Sequence, residues 1–183
     1  MKVIQTEIKE VLVIIPDVFK DDRGYFYESF NSKRYLEQAG LNYNFVQDNI
    51  SKSKKGTVRG LHYQVGEFAQ GKLCKVILGK VLDVAVDIRF GSPTFGKHVS
   101  VELSEENQNQ IWLPPGFAHG FSVLSDEAVF MYKCTALYSK KDERAIIFND
   151  EDLGIDWQVE NPNVSEKDMA AKKFKEIEKD FFY

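Results

Sequence analysis

Two of the chain's three histidines lie in short settings rich in glycine and polar residues: Arg59-Gly60-Leu61-His62-Tyr63-Gln64 and Pro114-Pro115-Gly116-Phe117-Ala118-His119-Gly120-Phe121. Both settings read as strands of an all-β domain. Imidazole changes charge near neutral pH, with an unperturbed pKa of about 6.5. Two such rings facing a common interior would move protons or bind a metal, and their neighbours decide which.

A catalytic metal needs about three protein ligands. Metal-binding members of the cupin class usually carry a His-x-His pair on one strand, then a carboxylate, then a further histidine on a later strand. Here the first pair reads His62-Tyr63-Gln64. The Pro114-x-Gly116-x-x-His119 half resembles the second cupin motif, so a barrel is expected without the ligand set. His98, at the strand start Lys97-His98-Val99, reads as a surface residue. No metal and no other cofactor is therefore expected, and the two histidines point to acid/base work.

Strands must position this chemistry. Short β-rich runs recur between turn signals at 11–15, 25–30, 45–50, 57–63, 73–78, 81–88, 98–103, 110–113, 117–123 and 128–138, the pattern of a sandwich or barrel. One short helix is predicted near 32–39, with Asn31 or Ser32 as cap and Gly40 left-handed at its end. A C-terminal helical extension is predicted from about 165. There Ser165-Glu166-Lys167-Asp168 has the form of a capping box, and Phe174, Ile177 and Phe181 recur at helical spacing.

With 183 residues and no linker or repeat, the chain reads as a single domain over 1–183, able to bury a core without disulfides. Cys74 and Cys134 lie inside apolar strand patterns and read as reduced, buried thiols. The charged N-terminus carries no apolar leader and no stretch approaches a membrane span, so a cytoplasmic protein without membrane contact is expected. A net charge of −4 argues against a nucleic-acid partner. The only basic cluster, Ser51 to Lys55, reads as a solvated hairpin tip.

Alternation along a strand places Phe130, Tyr132, Cys134 and Tyr138 on one face, with Val129, Met131 and Leu137 on the other. Arg59 and His62 have opposite parity, but a bulge at Gly60 would re-aim one of them into the space of the other.

Eight fragments, in order from about residue 10 to 168, resemble the dTDP-4-dehydrorhamnose 3,5-epimerase family. They are Asp22 to Phe30, Gln47-Asp48-Asn49, Arg59 to Gln64, Ala69 to Leu73, Asp83 to Arg89, Ser92 to Gly96, Pro115 to Phe121 and Tyr132 to Thr135. The resemblance implies a metal-free cupin jelly roll, a homodimer, and inversion of carbons 3 and 5 of dTDP-4-dehydro-6-deoxy-glucose to give dTDP-4-dehydro-rhamnose. Inversion beside a carbon-4 ketone requires a base, a donor for the enolate oxygen and an acid on the opposite face. By resemblance these are His62, supported by Asp168, then Lys72 and Tyr132. Arg23 and Arg59 match diphosphate-binding positions, and Glu28, Gln47, Asn49, Glu143 and Lys167 match further ligand contacts. Phe26, Phe19 and Tyr138 are candidates to pack on base and sugar, and His119 is a candidate at the barrel mouth.

Each residue also has a plain structural use. His62 suits a satisfied core histidine, Asp168 a helix cap, Lys72 a solvated lysine and Tyr132 a core aromatic. The chain departs from the family pattern in Val65-Gly66-Glu67-Phe68-Ala69, which lacks a proline often present there, and in its charged tail after Asp168. Other readings are a single-site epimerase, a 3,4-ketoisomerase, a metal-dependent cupin enzyme and a non-catalytic sugar-nucleotide-binding cupin. Proton exchange at carbons 3 and 5, movement of the carbonyl, and metal dependence distinguish them.

Overall fold

Valine, isoleucine and aromatic runs broken by glycine turns produce thirteen short strands in a computed structural model that describes residues 1–183. These are β1 (Lys2–Gln5), β2 (Leu12–Ile15), β3 (Val18–Asp21), β4 (Gly24–Tyr27), β5 (Gln47–Lys54), β6 (Val58–Gln64), β7 (Lys72–Leu78), β8 (Lys80–Asp87), β9 (His98–Ser104), β10 (Gln110–Leu113), β11 (Phe117–Val123), β12 (Glu127–Cys134) and β13 (Glu143–Ala145). A six-stranded sheet runs β1-β2-β10-β7-β12-β5, and a five-stranded sheet runs β13-β6-β11-β8-β9. All of these pairings are antiparallel. The two sheets face each other as a jelly-roll barrel. Val76, Val81, Leu103, Ile111, Phe121 and Phe130 belong to the apolar core cluster that joins them.

Strands β3 and β4 form a separate hairpin outside both sheets. Helix α1 (Ser32–Ala39) follows its sequence signals: Asn31 accepts the Arg34 N–H at 3.0 Å, and Gly40 ends the helix at φ 68°. Strands β1, β3 and β13, which the periodicity did not reveal, are three- or four-residue pieces defined by their partners.

Three expectations are corrected. The basic cluster is the end of edge strand β5, where Lys52 and Lys54 point outward, Ser51 and Ser53 inward, and only Lys55-Gly56 turns. Strand β12 stops at Cys134, so Tyr138 lies on the following loop. The predicted C-terminal helix is a single turn, α2 (Glu166–Met169), followed by extended chain with one 3-10 turn at Phe174–Glu176.

The tail is extended because its backbone groups bond to other segments instead of to their own previous turn. Ile147 N–H donates to Lys172 O, Phe90 N–H to Phe181 O and Tyr183 N–H to Phe90 O. Phe174, Ile177 and Phe181 still bury themselves against the core of the five-stranded sheet. Apolar spacing read correctly that these residues are anchors, while tertiary hydrogen bonds overrode the helical periodicity. No helix is long and apolar enough to cross a membrane.

Candidate active site

A cavity of about 240 Å³ opens between the two sheets. Its wall includes Arg59, His62, Lys72, His119, Tyr132, Tyr138 and Glu143, drawn from β6, β7, β11, β12, the loop after β12 and β13. Seven of the residues singled out in the sequence thus meet in one space. Ser51, Gln64 and Gln70 also line it and were not foreseen. Strand parity signalled Ser51, which shares the inward face of β5 with Asn49 and Gln47. Its Oγ is buried and makes no hydrogen bond within the protein.

Strand β6 delivers Arg59 and His62 to the same cavity through a bulge. Cross-strand partners run from His119↔His62 to Phe121↔Arg59, so three steps on β6 match two on β11. Gly60 absorbs the extra residue at φ +132°, and a Cβ there would lie 2.5 Å from the Gly120 Cα and 2.9 Å from the His119 oxygen. Gly60→Ala is expected to cost about 1–3 kcal/mol of stability from backbone strain alone, read as a lowered urea midpoint. A variant as stable as the parent would show that the bulge tolerates a side chain.

His62 Nε2 lies 2.7 Å from Asp168 Oδ1. Asp168 is the third residue of α2 and its N–H donates to Ser165 Oγ, as a capping box requires. Its carboxylate does not return to the Ser165 backbone. It accepts from the His62 ring and from the Gly60 N–H at 3.4 Å instead. Burial pushes the Asp168 carboxyl upward, but the His62 and Gly60 hydrogen bonds outweigh it, and the group is held below its ordinary range. An ionised carboxylate only accepts, so Nε2 carries the hydrogen and Nδ1 is the basic nitrogen of the neutral ring.

This has a consequence in acid. A depressed carboxyl contributes stability fully above its unfolded pKa of 3.8, and that contribution disappears as pH falls through the lower folded value. The stability difference between the parent and Asp168→Asn should therefore shrink as urea unfolding is repeated from pH 7 down into strong acid. A difference that stays constant would mean that the carboxylate charge is not what holds α2 on β6.

Lys72 is buried on β7, with Nζ 3.5 Å from the His62 carbonyl oxygen. Burial lowers its pKa. The Val65 to Ala69 segment that precedes it makes a 3-10 turn at Gly66–Phe68 without the missing proline. Tyr132 projects from β12, on the opposite sheet to His62, and burial pushes its phenol up to about 12. His119 is buried on β11, with Nε2 2.9 and 3.0 Å from the two Asp83 oxygens.

Glu143 anchors the cavity rim. It accepts from the Tyr138 hydroxyl at 3.0 Å and from the Lys167 ammonium. Burial raises its carboxyl, yet the Lys167 and Tyr138 hydrogen bonds leave it lowered overall, while Lys167 is raised in turn by Glu143. Lys167 is exposed and Asp168 buried, and neither lines the cavity. Arg59 donates from Nε to Ser53 Oγ at 3.0 Å, which extends it across the gap toward β5.

The remaining candidates divide into two groups. Gln47 and Asn49 lie on the inward face of β5 beyond Ser51: Gln47 bonds Asn49 and the Tyr138 N–H, and Asn49 reaches Cys134 Sγ at 3.6 Å. Arg23, Phe26 and Phe19 are on the β3–β4 hairpin, where they line a separate surface groove that shares no residue with the cavity. Arg23 pairs with Asp21, and Phe19 and Phe26 are 65% and 71% exposed. Glu28 pairs with Arg34 and Asn31 at the start of α1. The chain's own fold does not bring these four residues to the cavity.

Residues 5–176 match the family model described as dTDP-4-dehydrorhamnose 3,5-epimerase. A dTDP-4-dehydrorhamnose 3,5-epimerase of Shigella flexneri is 56% identical over 182 residues, covering 100% of this chain and 99% of that one. The Salmonella typhimurium protein of the same name is 54% identical over 172 residues, covering 93% and 94%. Among solved structures, a dTDP-6-deoxy-D-glucose-3,5-epimerase from Legionella pneumophila in complex with dTDP-4-keto-L-rhamnose superposes with a TM-score of 0.96 at 51% identity, covering 100% of this chain and 98% of that chain. With a barrel, a cavity and full-length likeness of this kind, the chain belongs to the dTDP-4-dehydrorhamnose 3,5-epimerase family.

Proposed function

We propose that the chain inverts carbons 3 and 5 of dTDP-4-dehydro-6-deoxy-glucose by proton abstraction beside the ketone and reprotonation on the opposite face. The observation that carries this reading is the placement of a carboxylate-oriented imidazole on one sheet and a neutral phenol on the facing sheet, with a buried lysine that reaches from the phenol's sheet to the His62 carbonyl. A stereocentre is inverted when the proton leaves toward one wall and returns from the other.

His62 Nδ1 takes the proton from carbon 3 or carbon 5, and the C–H electron pair passes into the carbonyl. The resulting enolate oxygen takes a hydrogen bond from the Lys72 ammonium, where one well-placed donor is worth roughly 3 kcal/mol. Asp168 stabilises the imidazolium. The Tyr132 O–H then protonates the carbon from the other wall, the enolate pair returns to that carbon, the phenolate is reprotonated from solvent, and the imidazolium gives its proton to solvent. Arg59 and the unpartnered Ser51 hydroxyl supply donors for the diphosphate.

The direct test is proton NMR of dTDP-4-dehydro-6-deoxy-glucose with chelator-treated protein in deuterated water. Deuterium at both carbons, and dTDP-rhamnose after a reductase and NADPH are added, is the expected result. Label at one carbon would reduce the reading to a single-site epimerase, and no label would overturn it.

A homodimer accounts for the stranded hairpin. Arg23, Phe19 and Phe26 have the chemistry of a diphosphate and base clamp but lie apart from their own cavity, so the hairpin of one subunit serves the cavity of its partner. Mixing Arg23→Ala chains with His62→Ala chains should then restore activity, to about a quarter of the parent level for random pairing, because each mixed dimer keeps one complete site. Absence of complementation after subunit exchange would place both residues in the same subunit's site.

A further inference from the structure

Cys74, Asp83 and His119 form a cluster that the proton transfers do not use. They come from neighbouring parts of both sheets, β7, β8 and β11. His119 Nε2 lies 2.9 and 3.0 Å from the Asp83 oxygens and 3.8 Å from Cys74 Sγ, and one donor atom from each residue falls within 4.8 Å of the others. Cys74 and Asp83 are fully buried and His119 nearly so. A carboxylate offers about four acceptor sites, yet the Asp83 side chain is served by one imidazole nitrogen and pairs with no lysine or arginine.

We infer that this trio is a binding site for a thiolate-preferring divalent cation, Zn²⁺ above all, and that its occupancy stops proton transfer in the adjoining cavity. Cysteine, histidine and aspartate are the zinc ligand types, and three protein ligands leave a fourth position open toward the cavity that His119 lines. Zinc bonds of about 2.3 Å to sulfur and 2.0–2.2 Å to nitrogen and oxygen set tetrahedral ligand atoms roughly 3.3–3.6 Å apart. The two His119 separations need to shift by only a few tenths of an ångström, and Cys74 Sγ and the Asp83 carboxylate close from within 4.8 Å. On binding, the Cys74 thiol releases its proton to solvent, and the hydrogen that His119 Nε2 shares with Asp83 passes to Nδ1, which frees Nε2 to coordinate. Thiolate and carboxylate then cancel the two positive charges, which suits a buried position.

This ligand set is absent from the His-x-His pattern because Cys74 and Asp83 stand on other strands, each inside an apolar run. The inhibitory half of the inference rests on the epimerase reading; the binding half does not. His119 is the cross-strand partner of His62, and Cys74 is the cross-strand partner of Tyr132. A cation held by the first of each pair therefore sits beside both proton-moving residues.

Titration of the chelator-treated protein with Co²⁺, a spectroscopic stand-in for Zn²⁺, reads the site without any assay of activity. One equivalent per chain should develop thiolate-to-cobalt charge transfer in the near ultraviolet and the intense visible bands of a four-coordinate ion. Cys74→Val, which puts an apolar branch in place of the thiol, should abolish the charge-transfer band and weaken binding by more than the ~10–100-fold that loss of an outer-shell partner costs. Cys134→Val should change neither. Stoichiometric Zn²⁺ should then suppress deuterium exchange in the parent and spare it in Cys74→Val. Absent bands, bands that persist in Cys74→Val, or equal inhibition of both proteins would overturn the assignment.

Discussion

Replacing His62 with alanine should slow deuterium incorporation at carbons 3 and 5 by roughly 10²–10⁴-fold, the contribution of a positioned general base. Affinity for dTDP, measured by calorimetry, should stay at the parent value, because Arg59 and Ser51 are untouched. The imidazole is half-exposed to the cavity and held by a buried carboxylate 2.7 Å away, so its removal deletes the base and strands Asp168. That stranding should cost about 1–3 kcal/mol of stability, and thermal unfolding run in parallel separates it from the rate effect. Parent-like exchange in a folded His62→Ala protein would sink the assignment of the base. Asp168→Asn belongs to the same experiment as the milder case, since the ring remains but loses the charge that stabilises its protonated form.

Tyr132→Phe should have a different signature. The phenol is pushed up to about 12 by burial, so it is a proton donor throughout the neutral range, and only its hydroxyl is lost in the variant. Exchange on the His62 face should continue, while formation of inverted product falls by roughly 10²-fold or more, as expected for loss of a general acid. The two rates are separable when the reductase trap is run beside the NMR measurement. If inverted product forms at the parent rate, the acid is another group on that wall. Together, the two variants distinguish a one-base wobble from a two-wall mechanism, because only the latter uncouples exchange from inversion.

Legibility in the sequence varied with how local the determinants are. Helix α1 was readable to within one residue because Asn31 and Gly40 act within one turn of it. Strands β10 and β11 matched their apolar runs, since both are buried throughout. The short strand β13 was not readable, because Glu143-Arg144-Ala145 is extended only where β6 offers it an edge. The tail misled for the opposite reason: Phe174, Ile177 and Phe181 bury apolar surface at helical spacing, but their backbone is claimed by β-bridges and loop carbonyls.

Within the site, the Gly60 bulge was foreseeable from the parity conflict between Arg59 and His62. The separation of Arg23, Phe26 and Glu28 from the cavity was not, since nothing in a strand pattern says that the hairpin stands outside both sheets. Asp83 and Cys74 left only the faint signal of a carboxylate and a thiol inside apolar strands.

The two halves of the His62–Asp168 pair are 106 positions apart in the chain. During synthesis, every barrel strand through β13 emerges before the residue that aims the base. The strands that carry His62 and Tyr132 are thus complete before the carboxylate that orients the imidazole exists. A protease cut just before Ser165 would separate Asp168 from the strand that carries His62, along with the Phe174, Ile177 and Phe181 anchors, and leave an undirected imidazole. Turnover by this protein consequently certifies that the last segment has docked, which nucleotide binding alone does not.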